Sequence, residues 1–442
     1  VGNKMSEHNN SGSALERAIG GFGFGVINLN SVIGAGIFGL PAAAAALSGA
    51  FSPWLFVLSG ILVLTVVLSF AEAASMFKKS GGALTYASHA YGPFVGFQTG
   101  WLAYLSRVAA MGANTNLLVT YASWFWAPLD GQPWRSAALV VIFTSLTWLN
   151  VLGVRNSVAL LYAFTALKLL PLSLLILFGL GKIDLGMLMG AEAPDIGELG
   201  EGILLVLYAY VGFEGTVVTA GEGKNPRRDL PKALISTILI IGAIYITVQL
   251  VAMSTMPNLA ESDRALADVA AIMFGPVGAV ILTLGAVFSI GGNLHSSLLS
   301  APRMTFALGR DGSLPAWFAR VHPRYHTPHL SIWFYGSICL LMALTGTFVW
   351  LAVISTLVRL LTYMICISAL PRLHRTIEPH ANQFRLPGGL LIPGIAMLLC
   401  LWLITHASLH AWLATGAFFA VGTVLYFLSA HKPIEAVETD AE

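Results

Sequence analysis

The sequence predicts an all-α polytopic membrane protein of twelve transmembrane helices, and three observations carry that prediction. Of 442 residues, 56% are hydrophobic and only 10% are charged, whereas an ordinary soluble domain carries about 25% charged residues. Twelve apolar runs approach or exceed the ~20 residues that a helix needs to cross the hydrocarbon. Lysine and arginine divide unequally between the two sets of loops that those runs create. A soluble fold of this composition would leave much apolar surface in water, and a disordered or fibrous chain is excluded on the same ground. The net charge of +2 gives no nucleic-acid footprint. Cys339, Cys366 and Cys400 all lie in apolar runs and form neither a disulfide framework nor a metal-ligand spacing.

The runs cover residues 17–47, 53–77, 93–127, 136–153, 156–181, 199–222, 232–255, 276–308, 329–346, 348–371, 389–405 and 409–429. Only Gly346 and Thr347 separate the ninth from the tenth, so that boundary is the softest. The polar start enters the first run directly, without the pattern of a cleaved signal peptide. Met5 is the expected initiator, with Val1–Lys4 an expression scar. Residues 1–14 and the acidic tail 430–442 are expected to be disordered. With the N-terminus cytoplasmic, 17 of the 23 Lys and Arg residues fall in cytoplasmic segments, 3 outside and 3 within spans. The cytoplasmic set includes Lys78, Lys79, Arg155, Lys224, Arg310 and Arg372. That bias places both termini inside, in a plasma (inner) membrane.

Two spans carry the signs of interruption. The first contains Val32-Ile33-Gly34-Ala35-Gly36-Ile37-Phe38-Gly39-Leu40-Pro41, whose glycines and proline weaken a helix and permit close backbone approach. The sixth contains Tyr208-Ala209-Tyr210-Val211-Gly212-Phe213-Glu214-Gly215-Thr216, with glycines around a carboxylate. Freed backbone at membrane depth is tolerated only where it lines a cavity or is buried in protein. Interrupted spans at corresponding positions point to an inverted-repeat transporter with its site at the midplane. N–H groups starting a half-helix near Gly36 suit a carboxylate, and carbonyls near Val32, Ile33 and Val211 suit an ammonium. Together they would grip a zwitterion. The competing reading, in which the glycines are packing contacts, stays open on sequence alone.

Four stretches resemble the amino acid–polyamine–organocation transporters. They are IGAGIFGLP in the first span, SFAEAASMFKKSGGALTYASHAYG between the second and third, YVGFEGTVVTAGEGKNPRRDLPKAL in and after the sixth, and SAPRMTFALGRDGSLP after the eighth. The resemblance covers about residues 15 to 430. It implies a 5+5 inverted repeat, residues 15–181 (spans 1–5) and 196–371 (spans 6–10), followed by two further helices over 389–429. It implies alternating-access transport of amino acids or amines, with a small-molecule substrate, lipid neighbours and no bound cofactor. By position, Ile33, Gly34, Ala35 and Gly36 would hold the substrate backbone, joined by Tyr208, Val211, Gly212 and Phe213 from the sixth span. Tyr208 or Phe213 would be the aromatic lid. Arg107 on span 3 and Ser355 on span 10 complete the candidate substrate set.

Glu72, Arg107, Lys168, Glu214 and Arg359 lie within predicted spans. Each costs about 2.5–3.5 kcal/mol at a helix centre on insertion scales and should face the bundle interior. Glu72, near the cytoplasmic end of span 2, either snorkels, pairs with a loop base or serves function. Lys168 resembles the lysine that some relatives carry where a sodium-coupled transporter binds its cation. Its expected acceptors are carbonyls near Gly34 and the hydroxyls of Ser296, Ser297 or Ser300. It is either a fixed positive charge in an exchanger or a protonation switch in a proton symporter, and both predict sodium independence. Glu214 either caps backbone N–H groups beside Gly212 and Gly215 or titrates during the cycle. Arg107 departs from the family, whose third span usually has a small or polar residue there. The surplus of positive charge requires an anion. Either Arg107 or Arg359 pairs with Glu214, the favoured option, or the substrate brings an extra carboxylate.

Other features carry less. His322, His326 and His329 occupy a polar loop without ligand-spaced acids or cysteines, so a solvated loop outweighs a metal site. Trp101, Tyr104, Trp124 and Trp126 read as packing or interfacial residues. No HExxH, GxSxG or Walker A pattern supports an intramembrane enzyme or an ATP-driven pump, and no filter-like loop supports a channel. A polyamine carrier would need several carboxylates in its pocket; Glu214 among surplus bases favours amino acids instead.

Overall fold

The computed structural model describes residues 20–77, 82–153, 158–218, 224–378 and 383–429. Among them the regular structure is helical throughout. The expected disordered ends and the loop bases Lys78, Lys79 and Arg155 lie outside the described residues. The first apolar run is divided between α1 (Gly21–Val32) and α2 (Gly36–Ser48). Next come α3 (Ser52–Met76), α4 (Gly82–Tyr91), α5 (Pro93–Ala122), α6 (Trp134–Val151), α7 (Val158–Gly179) and the short α8 (Leu185–Met189). The sixth run is divided between α9 (Ile196–Val206) and α10 (Phe213–Val218). The chain then forms α11 (Pro226–Thr255), α12 (Ala265–Arg310), α13 (His329–Thr345), α14 (Phe348–Thr376), α15 (Leu391–Ile404) and α16 (Leu409–Leu428).

The exterior is strongly apolar around a core that is itself mostly apolar and holds scattered polar side chains. Leu177, Val277 and Phe427 are 66%, 68% and 70% exposed, while Asn28, Asn114 and Gln249 are buried. Water would not tolerate that surface, but hydrocarbon does. Six helical stretches among the described residues are long and apolar enough to cross a membrane: Gly36–Met76, Trp134–Val151, Arg228–Thr255, Ala265–Arg310, Phe348–Thr376 and Leu409–Leu428. His329–Thr345 and Leu391–Ile404 are shorter apolar helices.

Helix ends follow local chemistry. Asp195 caps α9 by accepting the Glu198 N–H at 2.8 Å, and an acid three residues on completes the usual N-terminal signature. Thr347 accepts from the Trp350 N–H at 3.3 Å and starts α14, so the soft boundary at Gly346–Thr347 is a real break between helices. Three expectations shift. The third span stops as helix at Ala122 and gives way to a 3₁₀ turn, Ala127–Asp130, around Pro128. The eighth acquires a preceding helical segment, because α12 kinks at Gly275 (φ 71°) ahead of Pro276. Finally, α4 is a helix where only a connecting loop was expected. It is too short to span, and buries Tyr86 and Ala87 against the bundle.

At the centre α5 packs along α14 and α3 along α11, while α1 lies on α11 and α12 on both α5 and α7. This packing brings the ends of α1, α2, α9 and α10 to α5, α7, α12 and α14.

Candidate functional site

Both interruptions are visible in the backbone. After α1, Ile33 is extended (φ −72°, ψ 95°) and its N–H bonds back to Leu29 at 2.9 Å. α2 then starts at Gly36, with the Phe38 and Gly39 N–H groups sharing the Ala35 carbonyl at 3.0 Å each. The Gly36 and Ile37 N–H groups fall in the first turn, where a helix supplies no acceptor of its own. In the sixth run Leu207–Tyr210 tightens to a 3₁₀ turn and Val211 is extended. Gly212 takes φ 121°, a region that L side chains avoid. The two breaks are tied together by Ser31, whose hydroxyl donates to the Gly212 carbonyl at 2.8 Å.

The breaks also touch directly. A Cβ on Gly36 would lie 2.7 Å from the Ala209 Cα, a backbone atom that cannot rotate away. On Gly34 it would meet only the Asn293 side chain, at 3.1 Å. Gly36→Ala is therefore expected to cost roughly 1–3 kcal/mol of overpacking and to melt well below Gly34→Ala in detergent. Equal melting temperatures would show that the α2–Ala209 contact does not constrain the fold.

Lys168, on α7, is 2% exposed. Its ammonium donates to the carbonyls of Asn30 (3.0 Å) and Ile33 (2.7 Å). These belong to the last turn and the cap of α1, where carbonyls lack helical partners and the helix dipole is negative. The expected serine acceptors are committed elsewhere: Ser297 Oγ pairs with the Tyr335 hydroxyl at 2.9 Å, and Ser300 Oγ accepts from Arg107 at 3.1 Å. Ser296 is exposed. The Ile33 carbonyl, expected to face a substrate ammonium, is thus occupied by the lysine. Exposed α1 carbonyls attract the nearest buried cation, and α7 supplies it.

Glu214 opens α10 and accepts from donors on both oxygens. Arg359 Nε reaches Oε1 at 2.7 Å, while the Gly212 N–H and the Tyr363 hydroxyl reach Oε2 at 3.0 and 3.3 Å. Of the two arginines, Arg359 is the one that pairs with it, and the carboxylate also caps the freed Gly212 N–H, one of the two readings the sequence left open. Ser355, a candidate for substrate contact, instead holds this pair. It is fully buried, accepts from Arg359 at 2.8 Å and donates to the Ser106 carbonyl at 2.8 Å. One turn before Arg359 on α14, its hydroxyl is engaged by these two contacts.

A cleft takes in Arg107, Glu214, Arg359, Ser106, Thr362 and Tyr363, with Phe70, Leu84 and Met304 among its apolar walls. Ile33–Gly36, Tyr208 and Val211–Phe213 are not among its lining residues, because the interrupted backbones pack on one another instead. Tyr208 donates to Asn114 at 2.5 Å and sets its ring edge-on to Phe348 at 5.9 Å. Asn114 continues to Asn293 at 3.0 Å. Phe213 is fully buried, packed against Phe70 and Tyr363 at 5.5 Å each. Sequence reading missed Ser31, Asn114, Asn293 and Tyr363. The usable signal was polar side chains inside apolar runs.

Elsewhere, Glu72 pairs at 3.2 Å with His374, in the last turn of α14 rather than in a loop. Trp101 and Tyr104 are buried packing residues, the indole donating to the Phe418 carbonyl at 2.9 Å, whereas Trp126 is about half exposed. His322 accepts from the Arg324 and Tyr325 N–H groups within its own turn.

An apolar exterior and interrupted helices around buried charge define a multi-pass membrane protein with a charged internal cleft. A family model described as amino acid permease matches residues 19–430, and the chain belongs to that family, one of transporters rather than enzymes. It is 28% identical to the branched-chain amino acid permease BcaP of Bacillus subtilis (strain 168), over 95% of this chain and 94% of that protein. It is also 28% identical to the methylthioribose transporter of the same organism, with the same coverage. The serine/threonine exchanger SteT of Bacillus subtilis is 28% identical over 90% of this chain and 88% of its own.

Proposed function

We propose that this protein is a sodium-independent secondary transporter of L-amino acids that works by alternating access, as a proton-coupled symporter or an exchanger. Residues 15–181 and 196–371 would be the inverted repeats, 389–429 two added helices, and the twelve spans would leave both termini in the cytoplasm. The observation that carries the reading is the Lys168 ammonium held by the Asn30 and Ile33 carbonyls at the end of α1. A fixed ammonium there supplies the positive charge that a coupling cation would otherwise bring. Backbone groups around Gly34–Gly36, Val211 and Gly212 would grip the α-carboxylate and α-ammonium once the two interruptions move apart. The printed names of the branched-chain permease and the serine/threonine exchanger support an amino acid cargo. A polyamine fits poorly, since Glu214 is already matched by Arg359.

Counterflow in proteoliposomes tests this. Preloading with unlabelled substrate should accelerate labelled amino acid uptake equally in sodium and in choline buffers. A sodium requirement would overturn the coupling assignment. Failure of every L-amino acid to drive counterflow, with methylthioribose or a polyamine succeeding, would overturn the cargo.

A further inference from the structure

We infer that the cleft selects an amino acid whose side chain carries a second carboxylate, with Arg107 as the residue that reads it. This rests on the amino acid transport reading and names the substrate class at the same site. The cleft holds two guanidiniums, Arg107 and Arg359, against one carboxylate, Glu214. That carboxylate is spoken for: Arg359, the Gly212 N–H and the Tyr363 hydroxyl share its two oxygens. Arg107 takes part in no ion pair among the described residues. Its side-chain hydrogen bond goes to a neutral hydroxyl, Ser300 at 3.1 Å.

A partly buried cation that shares a cleft with one carboxylate already in ion-pair contact with another arginine gains when a ligand supplies a second negative charge. Guanidinium also binds carboxylate in a two-point geometry that a neutral amide cannot match in charge. The position is suitable. An Arg107 terminal nitrogen lies 3.7 Å from where a Cβ on Gly215 would sit, and that same point is 3.2 Å from Ser31 Oγ. Arg107 therefore stands beside the sixth-span interruption, opposite the end of α1. A carboxylate on a substrate side chain that enters the cleft beside Gly215 meets Arg107 there.

The test compares L-glutamate with L-glutamine, and L-aspartate with L-asparagine, as competitors in proteoliposome counterflow. At least one acid should half-inhibit at a concentration ~10-fold or more below its amide, a ratio equivalent to one charge-assisted contact. Arg107→Ala should collapse that ratio towards one, and Arg107→Lys should retain part of it. Thermal shift of the purified variants with the same ligands gives a reading that does not require turnover. Neutral amino acids competing as well as the acids would overturn the inference while leaving amino acid transport intact. So would an Arg107→Ala variant that weakens acid and amide equally. If no amino acid drives counterflow, the transport reading itself fails.

Discussion

Arg359→Met is expected to destabilise the protein by about 3–5 kcal/mol, because it strands the Glu214 carboxylate in the interior. Arg359 is 7% exposed, and its Nε lies 2.7 Å from Glu214. Removing the guanidinium leaves Gly212 and Tyr363 as the carboxylate's hydrogen-bond donors, with Arg107 the remaining cation of the cleft and not in ion-pair contact with it. It also frees the Ser355 hydroxyl from its Arg359 donor. The double variant Glu214→Gln with Arg359→Met removes both charges and should recover a substantial part of the loss, since replacing a buried pair costs far less than breaking one. Detergent melting of wild type, both singles and the double supplies the cycle. Independent, additive effects would mean the two groups do not act as a pair. Transport should fall with either single variant, because α10 and α14 are joined at the cleft through this contact.

Lys168→Met is the second large effect. The methionine matches the lysine stem in shape but donates nothing, so the Asn30 and Ile33 carbonyls lose the ammonium's hydrogen bonds. Leaving the buried Ile33 acceptor without its donor costs roughly 1–3 kcal/mol. The end of α1 also loses the cation that balances its dipole, a further ~0.3–2 kcal/mol. Counterflow is expected to drop to background, and melting should fall in parallel. A Lys168→Met protein that transports at the wild-type rate would remove the lysine from the coupling role. Lys168→Arg is expected to fail as well, since a planar guanidinium cannot reproduce the ammonium's 2.7 and 3.0 Å contacts to two carbonyls without displacing its buried surroundings.

Much of the fold was legible because the bilayer imposes simple rules. An apolar stretch must be helical, as only a helix satisfies its own backbone in hydrocarbon, and α3, α6 and α14 run close to the predicted spans. The interruptions were legible too, because Gly34, Gly36 and Gly212 stand where helix interiors avoid glycine. α4 was not. Its ten residues carry no spanning run, and its helicity comes from lying on the bundle. At the site, the ion pair was foreseen as a choice between two arginines, and chain order holds nothing that chooses. Ser355 illustrates the same limit: a serine within a span reads equally well as a ligand contact or as a brace for its neighbour one turn away.

The sequence by itself determined that the chain is helical, lies in membrane, and interrupts its first and sixth runs, because hydropathy, glycine placement and backbone hydrogen bonding are properties of contiguous residues. Only the tertiary structure decided which cation faces which anion. Arg359 rather than Arg107 neutralises Glu214, Lys168 rather than a substrate takes the Ile33 carbonyl, and Gly36 meets Ala209. Those outcomes depend on how helices distant in the chain rotate against one another, and electrostatic energy at a few ångströms changes steeply with that rotation.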